Sequence, residues 1–226
     1  MVYTFRSTAV VDGEVSGRTY DCSILEPENF DRRKIDFANF VETMVPGIGR
    51  IGDACESGFR VSTEYLPRRV RFDDEIPAKD FHYIAGLDFV SAQARAVIEK
   101  FEPGLHQFEP VEYVRSDGAH VENRFVMFIC QRLDSVDRAH TNMILYNSLN
   151  WITVEHAMRR YPDIVPPGAD ANSTPKKVFS LGQIGDAHMW RDIHIADQQY
   201  MSSTLVEAIE SAGLTGLARL PEDSVA

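Results

Sequence analysis

The sequence predicts an α+β fold, a mixed sheet with a few short helices, and two observations carry that expectation. Short apolar strand patterns alternate irregularly with short helical stripes, without the regular strand–helix alternation of a parallel α/β sheet. One stretch, Phe125 to Cys130, is apolar at every position and therefore belongs in the middle of a sheet covered on both faces. The chain has 226 residues, 44% of them hydrophobic and 25% charged, which is enough to bury a core without a metal or a disulfide framework. Its three cysteines, Cys22, Cys55 and Cys130, are too scattered for either.

Along the chain, Tyr3 to Val11 reads as a strand turned by Asp12-Gly13. Phe37, Phe40, Val41 and Met44 form the i, i+3, i+4, i+7 stripe of a helix ended by Pro46-Gly47. Arg60 to Leu66 reads as a strand closed by Pro67. The polar run from Asp73 to Lys79, with Pro77, marks a seam, so an N-terminal α+β lobe over 1–78 and a second lobe over 79–226 are expected.

Phe81 to Val90 reads as extended, Ser91 as the cap of a helix with Ala94, Val97, Ile98 and Phe101 on its apolar face, and Pro103-Gly104 as its stop. Leu105 to Val114 is extended, Asp117-Gly118 is a hairpin turn, and Pro162 to Pro175 is an exposed loop after a short helix from Val154. Near the end, Tyr200-Met201-Ser202 leads into Leu205, Ala208, Ile209 and Ala212, with Gly213 at the left-handed cap position. This tail lies over Phe89-Val90-Ser91 and its helix at a spacing of 111 residues, with Glu99 on Glu210 and Pro110 on Pro221, a weakly repeated strand–helix–strand unit.

Charge and motifs exclude several functions. With 23 basic and 34 acidic side chains the net charge is −11, opposite to that of a nucleic-acid binder. No window approaches a membrane span or a signal peptide, so a cytosolic protein is expected, in a reducing compartment. Gly47-Ile48-Gly49-Arg50-Ile51-Gly52 spells a dinucleotide fingerprint with Asp73 beyond it. A helical stripe precedes the glycines, however, and Gly58 interrupts the segment after them, so no nucleotide site is expected.

His188, Trp190, Asp192 and His194 recur at period two on one strand face. His188 and Asp192 would lie roughly 13 Å apart, too far to share an ion, so neither a metal nor another cofactor is expected. No Gly-x-Ser-x-Gly elbow occurs either. From the residues alone, a hydrolase using dispersed acids and histidines, with His106 and His194 as candidates, and a non-catalytic adaptor both stay open.

Several segments resemble the bacterial immunity-protein eleven family: Tyr83-Ile84-Ala85-Gly86, Phe89-Val90-Ser91, Phe101 to Val111, Lys177-Val178-Phe179, His188-Met189-Trp190-Arg191, and Met201-Ser202-Ser203 through Leu217. The resemblance runs over roughly residues 80 to 221. It implies a cytosolic antidote of a polymorphic-toxin system, without a catalytic site, that binds a cognate toxin protein and covers its active site. An acidic surface would steer such a molecule toward a basic toxin cleft. On that basis Asp73, Asp74 and Glu75 are expected to act as the steering cluster, and Trp190, if exposed, as an aromatic anchor.

Overall fold

Two serines, Ser91 and Ser202, turn strand into helix in the same way, and the architecture is organised around them. The computed structural model describes residues 1–9, 22–39, 54–72, 78–195 and 198–225. In chain order these form β1 (Val2–Ala9), β2 (Ser23–Glu26), single 3-10 turns at Arg32–Lys34 and Ala54–Glu56, and β3 (Arg69–Arg71). A tight hairpin of β4 (Phe81–Ile84) and β5 (Leu87–Val90) leads to α1 (Ala92–Phe101), and then to a long hairpin of β6 (Gln107–Val114) and β7 (His120–Phe128). Next come β8 (Arg132–Leu133), a separate small hairpin of β9 (Ile144–Tyr146) and β10 (Asn150–Ile152), α2 (Val154–Arg160) and a 3-10 turn at Pro162–Ile164. The last elements are β11 (Val178–Ser180), α3 (Leu181–Ile184), β12 (Met189–Asp192), β13 (Gln199–Ser202), α4 (Ser203–Ser211) and β14 (Leu217–Val225). The class is α+β, as expected.

One mixed sheet runs in the order β2-β3-β6-β7-β5-β4-β1-β13-β12-β8, with β14 beside β1 and β11 beside β14. β1 is parallel to β4 and antiparallel to β13, and β3 is parallel to β6. Hydrogen bonding is therefore continuous across residue 78, and strands from both sides of that position are interleaved. The described residues between Arg60 and Leu66 hold a single bridge, Phe37 to Val61, and the strand forms after Pro67 instead, at β3. The expected helix begins at Phe37, which is a bridge residue; the rest of its stripe and the glycine fingerprint lie outside the described residues. Phe81 to Val90 is not one strand but a hairpin, because Ala85 and Gly86 both take positive φ. A Cβ on Gly86 would come 2.3 Å from Arg32 Cδ, so the Arg32 side chain can lie over the turn only because residue 86 is glycine.

The repeat holds in register. Ser91 Oγ accepts from the Ala94 amide and Ser202 Oγ from the Leu205 amide, 3.1 and 3.2 Å, each from an extended backbone. Asp88, Phe89 and Val90 of β5 face Met127, Val126 and Phe125 of β7. Their counterparts Gln199, Tyr200 and Met201 of β13 face Phe5, Thr4 and Tyr3 of β1. On the other edge of each partner strand, Phe108, Glu109 and Pro110 of β6 face the same three residues of β7, and Arg219, Leu220 and Pro221 of β14 the same three of β1. Each unit is thus a hairpin, a capped helix, and a return strand two places away and parallel to the strand before the helix. β7 fills the gap in the first unit and β1 fills it in the second.

Three apolar clusters result from this arrangement. On the helix face, Ala94, Val97 and Ile98 of α1 and Leu205, Val206 and Ile209 of α4 pack on Phe5, Phe81, Val90, Met127, Met189 and Met201. On the opposite face, Ile35, Val61, Leu66 and Phe72 cover Phe89, Val111, Tyr113, Val126 and Phe128 of the first unit. The Gln107 side chain locks that cover in place, accepting from the Val61 amide at 2.8 Å and donating to its carbonyl at 3.0 Å. The second unit's outer face holds Val2, Val136, Phe179, Ile184, Trp190 and Tyr200.

Two buried polar side chains make sharp predictions. His82 Nδ1 donates to the Lys79 carbonyl, so Nε2 accepts from the Tyr113 hydroxyl at 2.5 Å. Burial, aided by the nearby Arg124 charge, pushes the His82 pKa down from 6.5 to about 3. Below pH 6.5 the unfolded chain takes up a proton that the folded one refuses, so stability drops as pH is lowered through that window, by about 1.4 kcal/mol per unit from this group. Denaturant midpoints between pH 6.5 and 5, above the range where Asp80 and Glu102 titrate, should show a shallower slope for His82→Gln than for the wild-type chain.

Trp190 is fully buried, stacked on Tyr200 with ring centroids 5.9 Å apart, and its Nε1 donates to Ser135 Oγ at 3.1 Å. Trp190→Ala should cost about 3–5 kcal/mol in equilibrium unfolding, the cost of emptying a core site of this size. A variant with an unchanged midpoint would contradict the packing.

Candidate functional site

The residues expected to meet a partner are separated by the fold. Asp73, Asp74 and Glu75 lie outside the described residues, but both flanks are anchored. The Phe72 amide donates to the Val114 carbonyl at 3.0 Å, continuing β3 along β6. On the far side the buried Arg124 guanidinium donates to the Lys79 and Ala78 carbonyls at 2.5 and 2.9 Å. The two flanks are therefore tied to the two strands of the long hairpin, one to β6 and the other to β7. Trp190 fails the condition placed on it: it belongs to the core because its side of β12 faces β11 and α3, and no partner reaches it without unfolding.

The candidate imidazoles are absorbed into separate hydrogen-bond networks. The His106 Nδ1 accepts from the Cys130 amide at 3.2 Å, so its Nε2 carries the proton and donates to Glu102 Oε2 at 2.7 Å. Glu102 Oε1 accepts from the His188 and Met189 amides at 2.7 and 3.3 Å. Burial works to raise the Glu102 pKa, yet these donors outweigh it and hold the carboxyl below its ordinary value. The group is thus a clamp joining the end of α1 to the start of β12. His194 lies elsewhere: its ring Nδ1 faces the Leu149 carbonyl at 3.4 Å and its backbone amide donates to Asp192 Oδ1 at 2.8 Å, while Asp192 Oδ2 accepts from the Ser135 amide and hydroxyl at 2.8 and 2.7 Å. Burial pushes the Cys130 thiol up to about 11, which keeps it protonated at neutral pH. Among the described residues, no group of three or more His, Cys, Asp or Glu could hold a metal ion.

One concave feature among the described residues lies elsewhere, between the two repeated units. A cavity of about 360 Å³ is lined by corresponding residues of the two: Asp88 with Gln199, Met127 with Phe5, and Tyr83 with Arg191. Asp88 and Gln199, 111 positions apart, hydrogen-bond directly, with Gln199 Nε2 donating to Asp88 Oδ2 at 2.7 Å. Ser7, Leu87, Phe128, Cys55 and Glu56 complete much of the wall, and the exposed Arg6 stands among them. Neither His106 nor His194 lines it. The sequence did hold a signal for this site: Asp88 is a charged residue inside the otherwise apolar Leu87-Asp88-Phe89-Val90, and the 111-residue spacing sets it over another polar residue, Gln199.

Comparison with curated proteins gives no match. A family model described as the immunity protein family Imm11 matches residues 24–220, reaching well upstream of residue 80 and taking in β2, β3 and the segment that covers the first unit's outer face. With that match extending over most of its length, the chain belongs to the Imm11 immunity protein family.

Proposed function

We propose that the protein acts in the cytosol as the antidote to a cognate toxin protein, binding it and covering its active site without chemistry of its own. Membership of the immunity protein family over residues 24–220 is the observation that carries this reading. Charge supports it: a net −11 suits a partner with a basic, substrate-binding cleft and would speed the encounter at low salt. The acidic run Asp73-Asp74-Glu75, whose flanks are tied to the two strands of the long hairpin, is the proposed steering element. The exposed excursion between β9 and β11 offers a second contact surface, with Leu149, Met158 and Ile164 each more than a third exposed. A hydrolase reading loses ground because its two candidate histidines are buried in different networks and neither opens on the cavity.

An antidote must outcompete the toxin's own substrate, so a dissociation constant near 1 nM or below is expected, about −12 kcal/mol. Co-expression with the toxin encoded in the neighbouring reading frame should restore growth, and the purified pair should form a stable complex. Replacing Asp73, Asp74 and Glu75 together by Asn, Asn and Gln should slow association by roughly tenfold at low salt and leave dissociation nearly unchanged. Failure to protect, with no complex at micromolar concentrations, would refute the proposal.

A further inference from the structure

A second concave feature, an open groove of about 440 Å³, lies between the end of α1 with the loop after it and the turn from α3 to β12. We infer that this groove receives an arginine side chain of the toxin, with Asp186 pairing its guanidinium and the apolar walls packing its stem. Such a contact rests on the antidote role proposed above and names a residue type that the toxin must present.

The charge of the groove is one-sided: two acids, Glu102 and Asp186, line it, and no basic residue does. Glu102 is nearly buried and both its oxygens are taken, by the His106 ring and by the His188 and Met189 amides, so it is not itself a contact. Its charge remains, because every one of those donors is neutral. The His106 ring accepts through Nδ1 and donates through Nε2, and so carries a single proton. A carboxylate held ionised by neutral partners projects its field through protein that screens poorly, toward the groove beside it. The C-terminal end of α1, at Phe101, adds negative potential of its own.

Asp186 supplies the direct contact. It is exposed, and its carboxylate forms no ion pair or hydrogen bond with another described residue. Leu105, which is 36% exposed, and the half-buried Phe101 give the groove an apolar wall, with Ile184 and Ala187 behind. A negative site with an apolar wall suits a side chain that is apolar along its stem and cationic at its head. Arginine fits better than lysine, since its flat fork pairs a carboxylate through two N–H groups and sheds water more readily. The adjoining loop already holds a guanidinium of this chain: Arg60 Nη2 donates to the Gly104 and Leu105 carbonyls at 2.6 and 3.2 Å, without lining the groove. An open groove does not enclose a free small molecule, whereas a side chain presented on a protein surface closes it as it docks. A toxin with a basic cleft has such side chains to offer.

Association and dissociation rates of the full chain with the toxin of the neighbouring reading frame, inactivated by substitution, provide the test. Asp186→Asn should raise the dissociation rate about tenfold, Asp186→Arg about a hundredfold and Leu105→Ala roughly threefold, with the unfolding midpoints of the Asp186 variants unchanged. Glu207→Gln removes the same charge from an exposed position on α4 outside the groove, and should alter dissociation by less than about twofold. Changing the toxin's surface arginines to glutamine one at a time should find one whose loss makes Asp186→Asn silent. Tight binding of the wild-type chain, with dissociation unchanged in both Asp186 variants or raised as much by Glu207→Gln, would overturn the inference and leave the antidote reading standing. No complex with the wild-type chain would refute that reading and the groove contact with it.

Discussion

A sheet whose central strands are apolar on both faces has to be covered twice, and that requirement governs the rest of this molecule. All four residues of β5 are buried, and Val126, Met127 and Phe128 of β7 are buried in succession. The capped helices α1 and α4 cover one side. The other side is closed by two different means, irregular chain around Ile35, Val61, Leu66 and Phe72 for the first unit and β11 with α3 for the second. Polar side chains drawn inside by this double cover find partners there: Gln107 takes the place of a backbone neighbour for Val61, and Asp192 and Ser135 satisfy one another. Asp88, Gln199 and Ser7, each with an oxygen unmet among the described residues, gather at one place.

That place is the junction of two copies of one structural idea. The hairpin–serine–helix–return strand unit occurs twice side by side, and the two copies are tied together directly. Asp80 accepts from Ser91 Oγ at the start of α1 and from the Thr215 amide beyond the end of α4. The Phe81 amide donates to the Thr215 carbonyl, and a Cβ on Gly216 would come 2.0 Å from the Phe81 carbonyl oxygen. Such closeness leaves little freedom for the units to shift against each other at that end. At the other end of the same junction the side chains differ between the copies, aspartate against glutamine and tyrosine against arginine, so equivalent positions of the two units present chemically different groups.

Much of this was legible from residue order. The two serine caps, the apolar faces of α1 and α4, the glycine at the end of α4 and the central position of Phe125 to Phe128 rest on local periodicity and capping, and each is where the pattern put it. The reversal at Ala85-Gly86 was missed because alanine rarely adopts a positive φ, and only the packing of Arg32 over the turn makes sense of it. Placement of β3 after Pro67 depends on a parallel partner, β6, some forty residues away, which no local window contains. Trp190 and the flanking His188 and His194 read as one polar stripe in the sequence; Ser135 and Glu102, which bond Trp190 and His188, are distant in the chain, so no local pattern shows the burial there. The cavity is harder still, since its wall combines residues from both units with β1 and the turn at Cys55-Glu56.

The place of β1 in the second unit has a consequence for how the chain matures on the ribosome. Its partners β13 and β14 are translated roughly two hundred residues later, so the edges of Val2–Ser7 that they cover stay open throughout elongation, while β4 meets only Thr8 and Ala9. An uncovered strand edge of this kind is a target for chaperones and proteases. A product truncated before β13 could never close it, and quality control would remove fragments that carry most of the sequence but none of the finished protein's shape.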